Sequence, residues 1–395
     1  MKTGAFFFSI FLLLSQGAVA GQAFTYEDLV SVIKQKNLRS VEEVLPYFPE
    51  NMRSNFTLVR ASESLQVSDD QHPRVILFGD DAQLTCTFGG SPVLTGYDTL
   101  ECYQFRASER RFDFREIVFP TSENGIKEPE FSESNRQASG PFQCSDCHSS
   151  DPRPNWEPYN IWKGAYGSQD DTFQAVLEKS VKSTAQEKEA FLKFKSHYQE
   201  SPRYSQLIFA PTRFAPYSEE TSGDTRTSPN FRLTYHVTQL TAQRNVRLLE
   251  EQPLSIRRQF LQFVAGCAWS VQKNPLKGLI TLARWTPAFR SLDPRCSDCL
   301  PEDYANSTLV VYGYNTGKGY LNETVAYHLI TDMVRDGELP AEVLNNSVTD
   351  SAYDIGYEGL GTPVAPSIEP YKLRHYCSLL GQKNSGQSFL VPDIH

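Results

Sequence analysis

The chain has 395 residues and a formal net charge of −9, with 22% charged and 39% hydrophobic residues. The hydrophobic fraction is sufficient for a packed core that does not depend on disulfides. An acidic chain without a basic stripe is a poor ligand for nucleic acid, so nucleic acid is excluded as an expected partner.

Residues 1–20 have the pattern of a secretory signal peptide. Lys2 supplies the positive start, residues 5–14 are apolar, and Ala18-Val19-Ala20 precedes the expected cleavage point. The apolar run is too short for a membrane span, and no later stretch approaches the roughly 18 apolar residues that a span needs. These features predict a periplasmic or secreted protein without a membrane span, with about 375 residues left for about two domains.

The segment 21–120 is predicted to contain short N-terminal helices and an antiparallel β module. Thr25-x-x-Asp28 resembles a capping box and Ser40-x-x-Glu43 fits one, so two helices are expected between residues 25 and 48. Runs with strand-like sequence then follow at spacings of roughly ten residues, which is typical of an antiparallel meander or a small sandwich. These runs are 75–78, 84–88, 100–105 and 112–119.

Residues 121–140 are polar without an apolar period and are predicted to be a linker. The region 141–395 has mainly helical patterns and is predicted to be a mostly helical second part. Its expected helices are one around 173–181, one starting at Thr184, and others at 231–249, 253–267 and 322–336. The whole pattern predicts an α+β fold class.

The motif that carries chemistry is Cys144-Ser-Asp-Cys147-His148. A Cys-x-x-Cys-His run is the attachment signature of haem c. The two thiols form thioethers to the porphyrin, and the adjacent His148 becomes the proximal ligand of the iron. One covalent haem c is therefore the predicted cofactor, in agreement with an exported chain.

The distal ligand of such a haem is expected to be Met333 or, second, His236, because the region after the motif contains no nearer Met. Arg153 is predicted to pair with a propionate, and Trp156 and Trp162 are predicted to line the porphyrin edge. The competing interpretation is that the aromatic residues around them, which include Tyr159 and Tyr166, only pack this Pro-rich stretch against the protein core.

The other cysteines leave alternatives open. An even number of remaining cysteines in an exported chain indicates disulfides, and we expect Cys86–Cys102 on neighbouring strands and Cys267–Cys377. Cys144 and Cys147 are also compatible with a disulfide in a non-haem binding or structural protein. The Cys-x-x-Cys pair at Cys296 and Cys299 would complete a Cys₄ zinc site with them, although the long separation and the oxidising compartment disfavour it.

Several stretches resemble a group of uncharacterised exported bacterial cytochrome c-like proteins, found among predatory and related bacteria, which carry a single Cys-x-x-Cys-His motif. The stretches are 53–58, 62–66, 73–79, 114–116, the haem motif with Asp-Pro-Arg-Pro-Asn-Trp at 151–156, and Trp-x-Gly-x-Tyr-Gly at 162–167. The similarity is clearest over residues 40–170. It implies an exported protein with haem at Cys144, Cys147 and His148, which transfers electrons to an unknown redox partner protein or senses redox state.

The resemblance implies no catalytic activity, and apart from haem attachment no catalytic motif is present in the sequence. A peroxidase-like reaction would require a five-coordinate iron.

Overall fold

The structure is a computed structural model that describes residues 23–62, 64, 66–122, 125–132, 152–154, 164–166, 181–209, 229–265, 321–349, 367–368 and 370–380. Its α-helices are α1 Tyr26–Lys36, α2 Val41–Val44, α3 Glu50–Ser54, α4 Val181–His197, α5 Pro229–Glu250, α6 Leu254–Val264, α7 Leu321–Arg335, α8 Ala341–Ser347, α9 Pro370–Leu373 and α10 Cys377–Leu380. Its strands are β1 Phe56–Val59, β2 Arg74–Phe78, β3 Leu84–Phe88, β4 Thr99–Arg106, β5 Arg111–Val118, β6 Thr121–Ser122, β7 Gly125–Ile126, β8 Glu130–Phe131, β9 Val348–Thr349 and β10 Ser367–Ile368. Helices and an antiparallel sheet together confirm the α+β class.

The main sheet has six strands in the order β1-β2-β3-β4-β5-β8, and every neighbouring pair is antiparallel. The four predicted strands correspond to β2, β3, β4 and β5, so the predicted meander is confirmed. Cys86 lies directly opposite Cys102 in the β3–β4 register and forms a disulfide with it, as predicted. The shared face that this bridge needs is set by the register, because opposite residues in an antiparallel pair point to the same side.

The N-terminal helices begin where the sequence predicts. Thr25 and Asp28 form a full capping box at α1, since each side chain accepts a hydrogen bond from the other residue's backbone N–H. At α2 the Ser40 hydroxyl accepts from Glu43 N, but the Glu43 carboxylate accepts from Arg39 N instead of closing the second half of the box. The better sequence match therefore makes the less complete cap.

These helices cover one face of the sheet and bury a continuous apolar cluster, here called the sheet core. Its members come from α1 to α3, from alternating positions of the strands, and from later parts of the chain at Tyr166, Phe191, Phe194, Tyr204 and Leu207. Helix α4 and the turn after it thus complete the packing of a sheet whose last strand, β8, ends 50 residues before α4.

Helix α5 covers the opposite face of the sheet. Leu233 packs with Val59, Ile76 and Phe78, and Leu240 packs with aromatic rings of β4 and β5, which include Tyr103. The C-terminal turns of α5 then enter a second cluster, here called the helical core, which α5 forms with α6 to α10 and β10. One helix therefore contributes to both halves of the described structure.

The predicted helices of the second half agree closely with α5, α6 and α7. Helix α7 ends at Gly337, which has a φ of 74°, and the N–H groups of Gly337 and Glu338 donate to carbonyls of the last turn. Glycine adopts this left-handed conformation without steric cost, which is why it closes helices. Helix α4, described from Val181, runs through Thr184, where a helix start was expected, and the helix expected around 173–181 lies outside the described residues except at its end.

Residues 121–132, within the segment predicted to be a linker, contain β6, β7 and β8. Strand β8 pairs with β5, and the Phe131 ring packs against the sheet core with the Lys34 ammonium 5.0 Å from its centroid. The sequence does not predict β8, because a two-residue strand at a sheet edge can pair without an apolar pattern.

Within the described part of the chain, no helix combines the length and apolar character that a bilayer-spanning helix requires.

Candidate functional site

The residues of the haem motif, Cys144, Cys147 and His148, lie outside the described residues, and so do Trp156, Trp162, Cys267, Cys296 and Cys299. Of the predicted site residues, Arg153, His236 and Met333 are described. The structure also describes Gly164–Tyr166, which follows the motif and belongs to the Trp-x-Gly-x-Tyr-Gly stretch.

Gly164–Tyr166 is bound to the outer edge of β1. Val59 and Ala165 form an antiparallel bridge, Tyr166 N donates to Leu58 O at 2.9 Å, and Arg60 N donates to Gly164 O at 2.7 Å. These three residues therefore extend the six-stranded sheet by one short strand. We call this segment the edge anchor.

Gly164 allows the edge anchor to approach β1 closely. A Cβ atom at this position would lie 2.3 Å from the carbonyl oxygen of Ala61, which is backbone and cannot swing away. Glycine is used where another backbone comes this near. The close approach to β1 therefore explains why a glycine stands at position 164 of the Trp-x-Gly-x-Tyr-Gly stretch.

Tyr166 fixes the edge anchor to two further elements. Its hydroxyl donates to Asp70 O at 2.9 Å, its carbonyl accepts from Asn230 Nδ2 at 2.7 Å, and its ring makes an edge contact with Phe191 at 5.5 Å. The side chain is almost completely buried in the sheet core. Of the two interpretations of the aromatic stretch, core packing describes Tyr166, while the other rings lie outside the described residues.

His236 lies on α5, less than two turns after Asn230, which holds the edge anchor. Burial, together with the positive charge of Arg232, lowers the pKa of His236 to about 4, against the opposing effect of Asp81 and Asp80. The imidazole is therefore neutral at physiological pH. A neutral imidazole is the form that binds metal ions.

Met333 lies on α7 inside the helical core and has no exposed surface. Its neighbours in that cluster include Leu249, Leu261 and Leu329. A thioether packed among aliphatic side chains is what an ordinary core methionine looks like. The two residues predicted as alternative distal ligands thus have different surroundings, and only His236 belongs to the helix that holds the edge anchor.

Arg153 is half-buried between Pro152 and Pro154, which are both buried. Its guanidinium donates to Pro154 O at 3.3 Å. The short piece 152–154 is therefore also covered by protein, which agrees with the competing interpretation that this stretch packs against the protein core.

No protein family, curated protein or solved structure matches the chain. Its function must therefore be inferred from its own residues. Among the described residues, no group of three or more His, Cys, Asp or Glu side chains is arranged to hold a metal ion.

The cysteines that the structure describes are all oxidised. Cys86 is bonded to Cys102, and Cys377 is also disulfide-bonded. Cys267, the predicted partner of Cys377, lies outside the described residues. Disulfides of this kind persist in oxidising compartments and are rare in the cytosol.

Two of the four arginines that are buried among the described residues hold polar networks that the sequence does not predict. Arg74 donates from Nε to Gln66 at 2.8 Å, and from Nη2 to Thr87 at 2.9 Å and Glu101 at 2.8 Å, on the face of the sheet opposite the sheet core. Because the four side chains come from a loop and three strands, the network fixes the path of the loop before β2. Charged residues in strands usually face solvent, so the sequence does not predict this buried network around Arg74.

The second is Arg203, in the turn after α4. Its Nε donates to Glu42 at 2.6 Å and its Nη1 donates at 2.7 Å to the carbonyls of Gly89 and Tyr97. The guanidinium carbon lies 3.2 Å from the centroid of the Tyr97 ring. Burial favours a higher pKa for Glu42, but hydrogen bonds from Arg203 and Tyr97 outweigh it and hold the pKa below its ordinary value.

Proposed function

We propose that this protein is an exported single-haem c-type cytochrome-like protein that transfers electrons or senses redox state. The observation that carries the proposal is the Cys144-Ser-Asp-Cys147-His148 sequence. Cys144 and Cys147 tether the porphyrin through thioethers, and His148 is the proximal ligand. Haem c, when bound, supplies an iron that takes up and releases one electron.

The oxidised cysteines support this proposal because they agree with the compartment in which haem c is attached. The disulfide at Cys86–Cys102 and the disulfide-bonded Cys377 both indicate a chain that matures outside the cytosol. A signal peptide at residues 1–20 is part of the same proposal, and the expected location is the periplasm or the exterior.

The edge anchor fixes the chain to the sheet at a point shortly after the motif. Gly164 follows His148 by 16 residues and is held at β1 by backbone hydrogen bonds. Arg153, Trp156 and Trp162 are proposed to line the haem within the same segment.

For the distal position we favour His236 over Met333. His236 is half-buried and neutral, and it lies on the helix that binds the edge anchor, whereas Met333 packs in the helical core. Moving Met333 to a haem would remove a fully buried side chain from that core, at a cost of about 2–5 kcal/mol by analogy with truncation of a core methionine.

The test is an absorption spectrum and an intact mass of the full chain produced in bacteria that attach haem c. We expect a Soret band that survives extraction with acidified acetone, and a mass increase of one porphyrin. The matched variant Cys144→Ser/Cys147→Ser is expected to lose the covalent haem while keeping the Cys86–Cys102 disulfide. A native mass without porphyrin would overturn the proposal.

The candidate from another class is a non-haem exported protein stapled by disulfides, with Cys144–Cys147 as one bridge. This alternative is supported by the described cysteines, because each of them is in a disulfide. Peptide mapping separates the two, because this alternative requires four disulfides and the haem protein requires two thioether-linked cysteines.

A further inference from the structure

A cluster of opposite charges joins the β4–β5 turn to the helical core. Arg110 lies in that turn, Glu250 is the last residue of α5, and Asp332 lies on α7. The Arg110 Nη1 atom lies 3.1 Å from Glu250 Oε2 and 3.1 Å from Asp332 Oδ2. One nitrogen therefore holds two carboxylic groups from different helices.

The backbone at Arg110 indicates that its side chain has a specific role there. Its φ is 48°, which lies in the left-handed region that glycine occupies at no steric cost. A positive φ destabilises the backbone at an arginine. Here the contacts of the guanidinium with two carboxylates offset that cost. Arg247 of α5 also donates to the Arg110 carbonyl at 3.3 Å, so the turn is bound to α5 on two sides.

The two carboxylic groups lie close to each other, because both contact the same Nη1 atom of Arg110. Repulsion between two carboxylates at this distance favours a proton on one of them, and we assign that proton to Glu250. Glu250 is the better proton carrier because it stands at the C-terminal end of α5, where the helix dipole disfavours a negative charge. Asp332 is additionally bound by Arg335 at 2.6 Å, which favours its ionised form.

We propose that Arg110, Glu250 and Asp332 form a proton-dependent latch between the sheet and the helical core. With Glu250 protonated and Asp332 ionised, the two acids attract each other and Arg110 binds both. When Glu250 loses its proton, two negative charges face each other and the latch is weaker. This inference does not depend on the proposed haem function.

The direction of the pH dependence follows from the two acids. Burial and the hydrogen bond with Asp332 raise the pKa of Glu250 above its ordinary 4.5. Burial alone would raise the pKa of Asp332, but the bonds from Glu250 and Arg110 lower it below 3.8. The latch is therefore strongest between these two pKa values, weakens as the pH rises through that of Glu250, and weakens again as the pH falls through that of Asp332.

Other charged and titratable side chains lie near the three residues of the latch. They are Glu109 in the turn and Arg111 after it, Arg247 on α5 and Glu251 just after that helix, and His328 and Arg335 on α7 with Asp336 just after it. Glu251 is paired with Arg247 and Asp336 with Arg335, and both acids are exposed. Burial lowers the pKa of His328 below its ordinary value.

The test is hydrogen exchange of the full chain between pH 4.5 and pH 8, with rates corrected for intrinsic exchange. In the wild type, the opening constant of α7 and of the β4–β5 turn should rise with pH. The rise is at most about tenfold for each unit by which the pKa of Glu250 is raised. In Glu250→Gln, whose amide cannot ionise, we expect this dependence to disappear while Glu251→Gln keeps it.

An unchanged pH dependence in Glu250→Gln would overturn the latch. If that variant does not fold, carbon NMR of the wild-type Glu250 carboxyl decides the question. A titration midpoint above 4.5 supports the latch, and a midpoint at or below 4.5 overturns it.

Discussion

Replacement of Arg203 by Ala is expected to be among the most destabilising changes in the described part of the chain. The Arg203 side chain is only 1% exposed and its partner carboxylate on Glu42 is 23% exposed. Removing the guanidinium leaves a largely buried carboxylate without its cation and takes the donor away from the Gly89 and Tyr97 carbonyls. Breaking one side of a buried ion pair costs about 3–5 kcal/mol, so we expect a loss of that size.

The assay is urea unfolding at pH 7, followed by far-UV circular dichroism. We expect a lower midpoint with an unchanged slope, because the change acts on folded-state contacts and not on the surface exposed by unfolding. The matched control is Arg111→Ala. Arg111 is 44% exposed and lies 3.6 Å from Glu109, and exposed pairs of this kind contribute at most about 1 kcal/mol.

A double-mutant cycle with Glu42→Gln and Arg203→Met isolates the pair. Residues in direct contact are expected to couple by about 0.5–3 kcal/mol. The folded-state pKa of Glu42 lies below its ordinary 4.5, so the stabilisation by this pair is present above pH 4.5 and is lost as the pH falls through the folded-state pKa. A loss below about 1 kcal/mol in Arg203→Ala, equal to that of the control, would refute the reasoning.

Three further changes test the anchoring and burial of named residues. Gly164→Ala places a Cβ 2.3 Å from a backbone oxygen, so we expect about 1–3 kcal/mol of destabilisation and faster exchange of the Arg60 amide; an unchanged exchange rate would contradict this. Gly90→Ala places a Cβ 1.5 Å from the Tyr204 hydroxyl, and a comparable loss in urea unfolding is expected, whereas wild-type stability would show that the ring can move freely. For His236 in the haem-free variant Cys144→Ser/Cys147→Ser, proton NMR should give a pKa of about 4, and stability should fall as the pH drops from about 6.5 to 4 because the unfolded chain binds the proton more tightly; titration near 6.5 would be the contrary result.

The alternating strands and the capped helices were predictable because their signals are local. Thr25 with Asp28 marks the start of α1, and the alternation in β4 and β5 marks two strands of one sheet. Strand β1 was missed because Phe56–Val59 is short and buried on both faces, so it shows no alternation. The haem motif is equally local, and what it predicts about function stays a prediction.

Contacts between distant parts of the chain could not be predicted. Tyr166 appeared in an aromatic stretch, and only the folded structure shows that it pairs with Leu58, more than 100 residues earlier. Arg203 and Glu42 are separated by 161 residues, and each looks like an ordinary surface charge in the sequence. Three-dimensional proximity, and not residue type, gives these side chains their roles.

The edge anchor has a consequence for how the polypeptide is made. Strand β1 leaves the ribosome about 100 residues before Gly164, which at bacterial and eukaryotic rates of 5–20 residues per second is about 5–20 s. During this interval the outer strand offers unpaired N–H and C=O groups to any neighbouring nascent chain. A truncated product that stops short of Gly164 should therefore self-associate through β1, and a chaperone that shields extended backbone would be most valuable in that interval.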